Sequence, residues 1–103
     1  MSSEIYRVYE LRASIDRLNS VITRLRSRLV ELEEAKRVLE EGKPRRVYRI
    51  FGERVMVELS LEEARRFVEE EVEALKLQLK RLEEERERLS KELRELEKKL
   101  GLA

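Results

Sequence analysis

Val47-Tyr48-Arg49-Ile50-Phe51-Gly52-Glu53-Arg54-Val55-Met56-Val57-Glu58-Leu59 is the stretch on which the fold turns. β-Branched and aromatic residues fill Val47 to Phe51, Gly52-Glu53 offers a turn, and beyond Arg54 the side chains of Val55, Val57 and Leu59 alternate onto one face. That is the pattern of a β-hairpin, placed at about 46–59. Just before it, Gly42-Lys43-Pro44 stops a helix, because glycine suits the position past a helix end and proline cannot continue one. Just after it, Ser60 offers its hydroxyl as an N-cap. Glu62 and Glu63 follow in the first turn, where carboxylates complement the helix dipole.

On either side the sequence is heptad-patterned. Val8, Leu11, Ile15, Leu18, Ile22, Leu25, Leu29, Leu32 and Leu39 alternate in steps of three and four, broken at Lys36. Leu61, Val68, Val72, Leu75, Leu79, Leu82, Leu89, Leu93, Leu96 and Leu100 keep the same frame, broken at Arg65 and Arg86. Both runs are coiled-coil seams. The spacing predicts a first helix over about 4–42 and a second over about 61–100. At about 1.5 Å per residue each would be a rod of roughly 60 Å. The fold class is mainly α: a long antiparallel helical hairpin with one β-hairpin inserted, forming a single domain over 1–103.

Charged residues make up 46% of the chain and aromatic residues 5%, which leaves little material for a compact core. One helix pair buries a narrow stripe, and a two-stranded hairpin is marginal in water with both edges unpaired, so self-sufficiency is doubtful and oligomerisation is the remedy. Hairpins from several subunits joining into a larger sheet would satisfy Val47, Tyr48, Ile50, Phe51, Gly52, Val55, Met56, Val57 and Leu59 together. Val38 and Phe67 lie off the seam near the hairpin and are placed at the base of such an assembly.

The formal net charge is +1. Residues 1–60 carry 13 basic and 10 acidic side chains and residues 61–103 carry 11 and 13, so neither half is a polyelectrolyte. This argues against nucleic acid as partner, and Lys43, Arg45, Arg46 and Arg49, with Glu40, Glu41 and Glu53 nearby, read better as intersubunit ion-pair partners. No apolar run approaches the roughly 20 residues that span a bilayer, and Met1-Ser2-Ser3-Glu4 lacks the start of a secretory signal, so a cytoplasmic protein is the expectation. With no histidine, no cysteine and Asp16 as the only aspartate, the usual catalytic bases, nucleophiles and metal ligands are missing; no enzyme, metal or cofactor is expected. Abundant Glu, Arg and Lys beside only Asn19 and Gln78 as side-chain amides is the pattern of thermophile proteins. Lys36, Arg65 and Arg86 read as register-setting interruptions whose methylenes lie along the seam.

The hairpin segment, with Ser60-Leu61-Glu62-Glu63-Ala64 after it and Lys36-Arg37-Val38-Leu39-Glu40-Glu41 before it, resembles the signature of β-type prefoldin subunits. The resemblance runs from about Tyr6 to Leu100, and its specific part is the central third. It departs from the family in a first helix without the family's many glutamines and in Gly42, where a larger residue is common. The resemblance implies a chaperone without ATPase activity, built in archaea from two α-type and four β-type subunits. The hairpins would form a platform, and the distal ends of the helix pairs would hold non-native polypeptides and deliver them to a group II chaperonin. The client-contact set at those ends is Ile5, Tyr6, Val8, Tyr9, Leu96, Leu100 and Leu102; Ile5, Tyr6 and Tyr9 fall off the seam, and Leu102 lies beyond its last residue. The expected partner is an α-type subunit or, by self-association, further copies of this chain. The competing reading is a passive structural or scaffolding coiled coil.

Overall fold

A computed structural model describes residues 3–102; Met1, Ser2 and Ala103, the outermost residues of the expected domain 1–103, lie outside the described residues. The element order is α1 (Ser3–Glu41), β1 (Val47–Phe51), β2 (Val55–Leu59) and α2 (Leu61–Lys99). Neither helix contains a glycine or a proline: Gly42, Pro44, Gly52 and Gly101 all lie outside them. Proline costs about 3 kcal/mol and glycine about 1 kcal/mol inside a helix, so excluding both lets 39 residues run without a break in each.

The chain divides into two compact units, residues 1–26 with 78–103 and residues 27–77. In the first, which carries both chain ends, α1 and α2 run antiparallel: Glu4 meets Lys99, Arg7 meets Glu92, Asn19 meets Arg86 and Arg26 meets Glu83. Val8, Leu11, Ile22, Leu79 and Leu89 are buried between them. Arg86, a seam interruption, donates from Nη1 to the Asn19 side-chain oxygen at 3.0 Å, a polar layer that sets register within the stripe. At the end of α2 the Leu102 N–H bonds the Glu97 carbonyl at 2.8 Å and the Gly101 N–H bonds that of Lys98 at 3.2 Å. With Gly101 at φ 72°, this is a Schellman cap, and Lys98 and Lys99 lie in the last turn where cations complement the dipole.

The second unit contains the hairpin. Its apolar centre is Leu32, Leu39, Ala64, Val68, Val72 and Leu75, all buried. Fully burying a side chain such as Leu or Val stabilises by about 1.5–3 kcal/mol, which makes this stripe the main contribution on the apolar side. Arg65 explains its own place in the seam. The last turn of α1 has no basic residue, and Arg65 reaches across from α2 to donate from Nη2 to the Leu39 carbonyl at 3.4 Å. A cation from one helix thereby serves the negative end of the other, a role beyond setting register.

The end of α1 differs in one respect from the sequence reading. The left-handed residue is Lys43, at φ 43°, and not Gly42. Gly42 is required for close approach: its N–H bonds the Val38 carbonyl at 2.9 Å, and a Cβ there would sit 2.6 Å from that oxygen. Helix α2 opens on a reciprocal cap. The Glu63 N–H donates to Ser60 Oγ and the Ser60 N–H to Glu63 Oε1, each at 3.1 Å, while the Ala64 N–H bonds the Ser60 carbonyl. The Ser60 backbone N–H, then its hydroxyl, hold the Glu63 carboxyl below the usual carboxylate range.

Ser60→Ala removes the hydroxyl half of this cap and is expected to lower stability by about 1 kcal/mol, measured by chemical denaturation at fixed protein concentration. Hydrogen bonds from Arg37, Arg88 and Arg7 also lower the carboxyls of Glu34, Glu85 and Glu92. A carboxyl lowered in the folded state stabilises above its unfolded pKa, and that contribution is lost as pH falls through the folded value. The melting temperature is therefore expected to hold above roughly pH 5 and fall steadily below it. A melting temperature that rises on acidification would contradict this assignment.

Candidate functional site

The hairpin pairs antiparallel in the register Val47↔Leu59, Tyr48↔Glu58, Arg49↔Val57, Ile50↔Met56 and Phe51↔Val55. Gly52 opens the turn at φ 61°, in the left-handed region, where any other residue pays a steric penalty. Alternation puts Val47, Arg49, Phe51, Val55, Val57 and Leu59 on one face and Tyr48, Ile50, Met56 and Glu58 on the other. Val47, Arg49 and Leu59, nearest the helices, are half-buried. Beyond them the apolar surface is open: Tyr48, Ile50, Phe51, Val55, Met56 and Val57 are all exposed, from 42% at Val57 to 63% at Ile50. Six of the ten strand residues are thus large, apolar and exposed, on a two-stranded sheet with both edges unpaired. An apolar cluster of this density beside free strand edges is the signature of an interaction surface.

The two residues placed at the base of the hairpin lie by the same groove. Val38 and Phe67 line a groove of about 720 Å³ together with Leu39, Val47, Ile50 and Ala64. Val38 is exposed and Phe67 half-buried. Phe67 is partly covered from within the chain: the Arg49 guanidinium carbon lies 3.7 Å from its ring centroid and 4.4 Å from that of Phe51. Arg49, read from the sequence as an intersubunit ion-pair partner, lies within its own chain against both rings.

In the unit that carries the chain ends, Tyr6, Tyr9 and Leu102 are exposed and Ile5, Leu96 and Leu100 half-buried. Tyr6 and Tyr9, three residues apart on α1, share a face. Val8, named with them as a client contact, is only 2% exposed and belongs to the seam beneath. Ion pairs flank this surface. Arg7 grips Glu92 with Nε–Oε1 at 3.0 Å and Nη2–Oε2 at 3.1 Å, Arg12 meets Glu97 at 2.7 Å, and Lys99 meets Glu4 at 3.2 Å. The same contact raises the Arg7 guanidinium and lowers the Glu92 carboxyl, although both are solvated and such pairs contribute little individually. The cleft here, about 520 Å³, is lined by Glu4, Arg7, Glu92, Glu95 and Lys99 with Leu96 as its one large apolar side chain. Apolar chemistry at this end therefore resides on open surface and not in the cleft.

Arg49, Arg65 and Ala64 were the residues that the sequence pattern did not mark for these roles. Ala64 lies outside the seam positions yet is 3% exposed. The one signal for Arg49 was Phe51 two residues on, hence on the same strand face. Among the described residues there is no cluster of metal-ligating side chains, and no helix is long and apolar enough to cross a membrane.

Comparison with known proteins agrees with this geometry. A family model described as prefoldin subunit matches residues 3–101. The prefoldin beta2 subunit from Thermococcus strain KS-1 is similar in structure, with a TM-score of 0.80 and 27% identity over 89% of this chain and 98% of that one. No curated protein matches in sequence. Two long helices, a single antiparallel hairpin between them and a family match over nearly every residue lead to one conclusion: the chain belongs to the prefoldin family.

Proposed function

We propose that the chain is a β-type subunit of an ATP-independent chaperone, which holds non-native polypeptides and delivers them to a group II chaperonin. Prefoldin is a family of chaperone subunits and not of enzymes, and the fold supports the same kind of subunit here. The observation that carries the reading is the hairpin: six exposed apolar side chains and two open edges, with no further element to cover them among the described residues. Pairing with hairpins of other subunits would bury that surface and complete the ladder. The partners are two α-type with four β-type chains in all, or further copies of this chain.

Client capture is assigned to the unit that carries the chain ends. Tyr6, Tyr9 and Leu102 present open apolar surface, and Ile5, Leu96 and Leu100 add partly exposed edges. Val8 is left out of the contact set because it is buried in the seam. Scattered aromatic and aliphatic contacts among solvated charges suit weak, sequence-tolerant holding of exposed hydrophobic segments, since they impose no pocket shape on the client. A passive scaffold would need the hairpin contacts but would gain nothing from exposed tyrosines at the chain ends.

Replacing Val55 and Val57 together with Asp is expected to reduce the native mass to that of the free chain while leaving most helix content intact, measured by light scattering and circular dichroism. An unchanged native mass would remove the hairpin from the assembly. The triple replacement Ile5→Ser, Tyr6→Ser and Tyr9→Ser is expected to preserve native mass and to weaken suppression of client aggregation at least severalfold. Full retention of that activity would move capture to another surface, and a wild-type complex with none would favour the scaffold.

A further inference from the structure

The hairpin joins the helices through two short connections of different character. On the α2 side only Ser60 separates Leu59 from Leu61; on the α1 side five residues, 42–46, intervene. The Ser60–Glu63 cap holds the first connection and the Gly42 bond to the Val38 carbonyl the start of the second. Strand side chains add to this, and few reach back: Val47 and Leu59 at the root, and then Arg49. Residues from Ile50 to Val57 are all exposed, so Arg49 is the outermost residue of β1 that is half-buried.

Its guanidinium meets two rings. Phe51 belongs to its own strand and Phe67 to α2, so the contact of one guanidinium with both rings ties β1 to the helix. Among the described residues no carboxylate lies within ion-pair distance of Arg49, which leaves the two π faces as its polar partners. A planar guanidinium can be attracted by rings on both sides at once, whereas an ammonium is a strongly hydrated point charge on a flexible stem.

We propose that Arg49 is a positioning residue for assembly: clasped against Phe51 and Phe67, it sets the angle of the hairpin against α2 so that strand edges of neighbouring subunits meet and close. The inference rests on the assembly reading above and adds the device that makes assembly closed. A neighbour that contacts both the strand edges and the helix base around Val38 is turned through a fixed angle only if the sheet is held at one angle to α2, and a ring closes only if that turn is fixed. A loose hairpin forms the same contacts without closure and yields open or mixed species. The side chain acts through geometry, and its own contacts lie within one chain.

The test takes the complex at its native composition and follows its mass distribution on dilution by mass photometry, for wild type, Arg49→Lys, Arg49→Met, Phe67→Leu and Arg49→Met/Phe67→Leu. Circular dichroism melting of each supplies a readout of general stability. The expected result is a single wild-type mass. Arg49→Lys and Arg49→Met should dissociate at about tenfold higher concentration or spread into several masses, with helix content unchanged. Phe67→Leu should reproduce this, and the double variant should be no worse than the more affected single one, as for two residues that act through one contact. A discrete wild-type complex with both Arg49 variants equal to it in mass and dilution midpoint overturns the positioning role and leaves the assembly reading standing. Strictly additive effects of Arg49→Met and Phe67→Leu overturn the clasp as the mechanism. A wild-type chain that stays a lone subunit overturns the assembly reading itself.

Discussion

Two helices that touch along one seam can bury only one stripe, and everything else about this chain follows from what that leaves uncovered. Its positions are mostly apolar, interrupted at Lys36, Arg65 and Arg86, and they take most of the leucine in the sequence. Among the described residues, little beyond the helix base around Phe67 reaches the sheet. The hairpin is nevertheless composed of residues that avoid water, and its ladder is satisfied on one side of each strand only. A protein built this way holds its fold by the seam and leaves an apolar deficit at the hairpin. The two are separable, because the buried side chains and the exposed apolar strand residues are different sets.

Most of the architecture was legible because it rests on period and on punctuation. A three-four alternation can be read without knowing what lies opposite, and a chain whose only proline and glycines fall at 42, 44, 52 and 101 announces where its helices end. The turn glycine and the serine cap are local chemistry and were legible for the same reason. The interruptions at Arg65 and Arg86 could be located but not explained, since the Leu39 carbonyl and Asn19 lie 26 and 67 residues away in sequence. Arg49 was harder still. A basic residue in an alternating strand reads as surface, and only the approach of Phe67 from another element makes it an anchor.

The same limit applies to the surface at the chain ends. Heptad position separates seam from flank, which placed Tyr6 and Tyr9 outside correctly and exposes Val8 as a seam residue. Position alone does not say how deep a seam residue lies: Leu18, Leu25, Leu29 and Leu82 hold mid-helix seam positions and are half-buried. Leu96 and Leu100 hold seam positions and are only half-buried, whereas Val8 is sealed. Gly42 shows the converse: the right residue at the right place, kept by the approach of a carbonyl and not by the backbone angle that usually selects glycine there.

The bond from Arg65 to the Leu39 carbonyl bears on the order in which the chain comes together. It closes a loop of 26 residues, whereas the ion pair between Glu4 and Lys99 closes one of 95. Since the entropy lost on closure grows with the logarithm of loop length, beginning at the hairpin is less costly by about 1 kcal/mol than beginning at the chain ends. Each pairing made from there shortens the open segment that the next must close. Folding is thus favoured to zip outward from the turn, and the tyrosine-bearing ends are the last part of the molecule to pair.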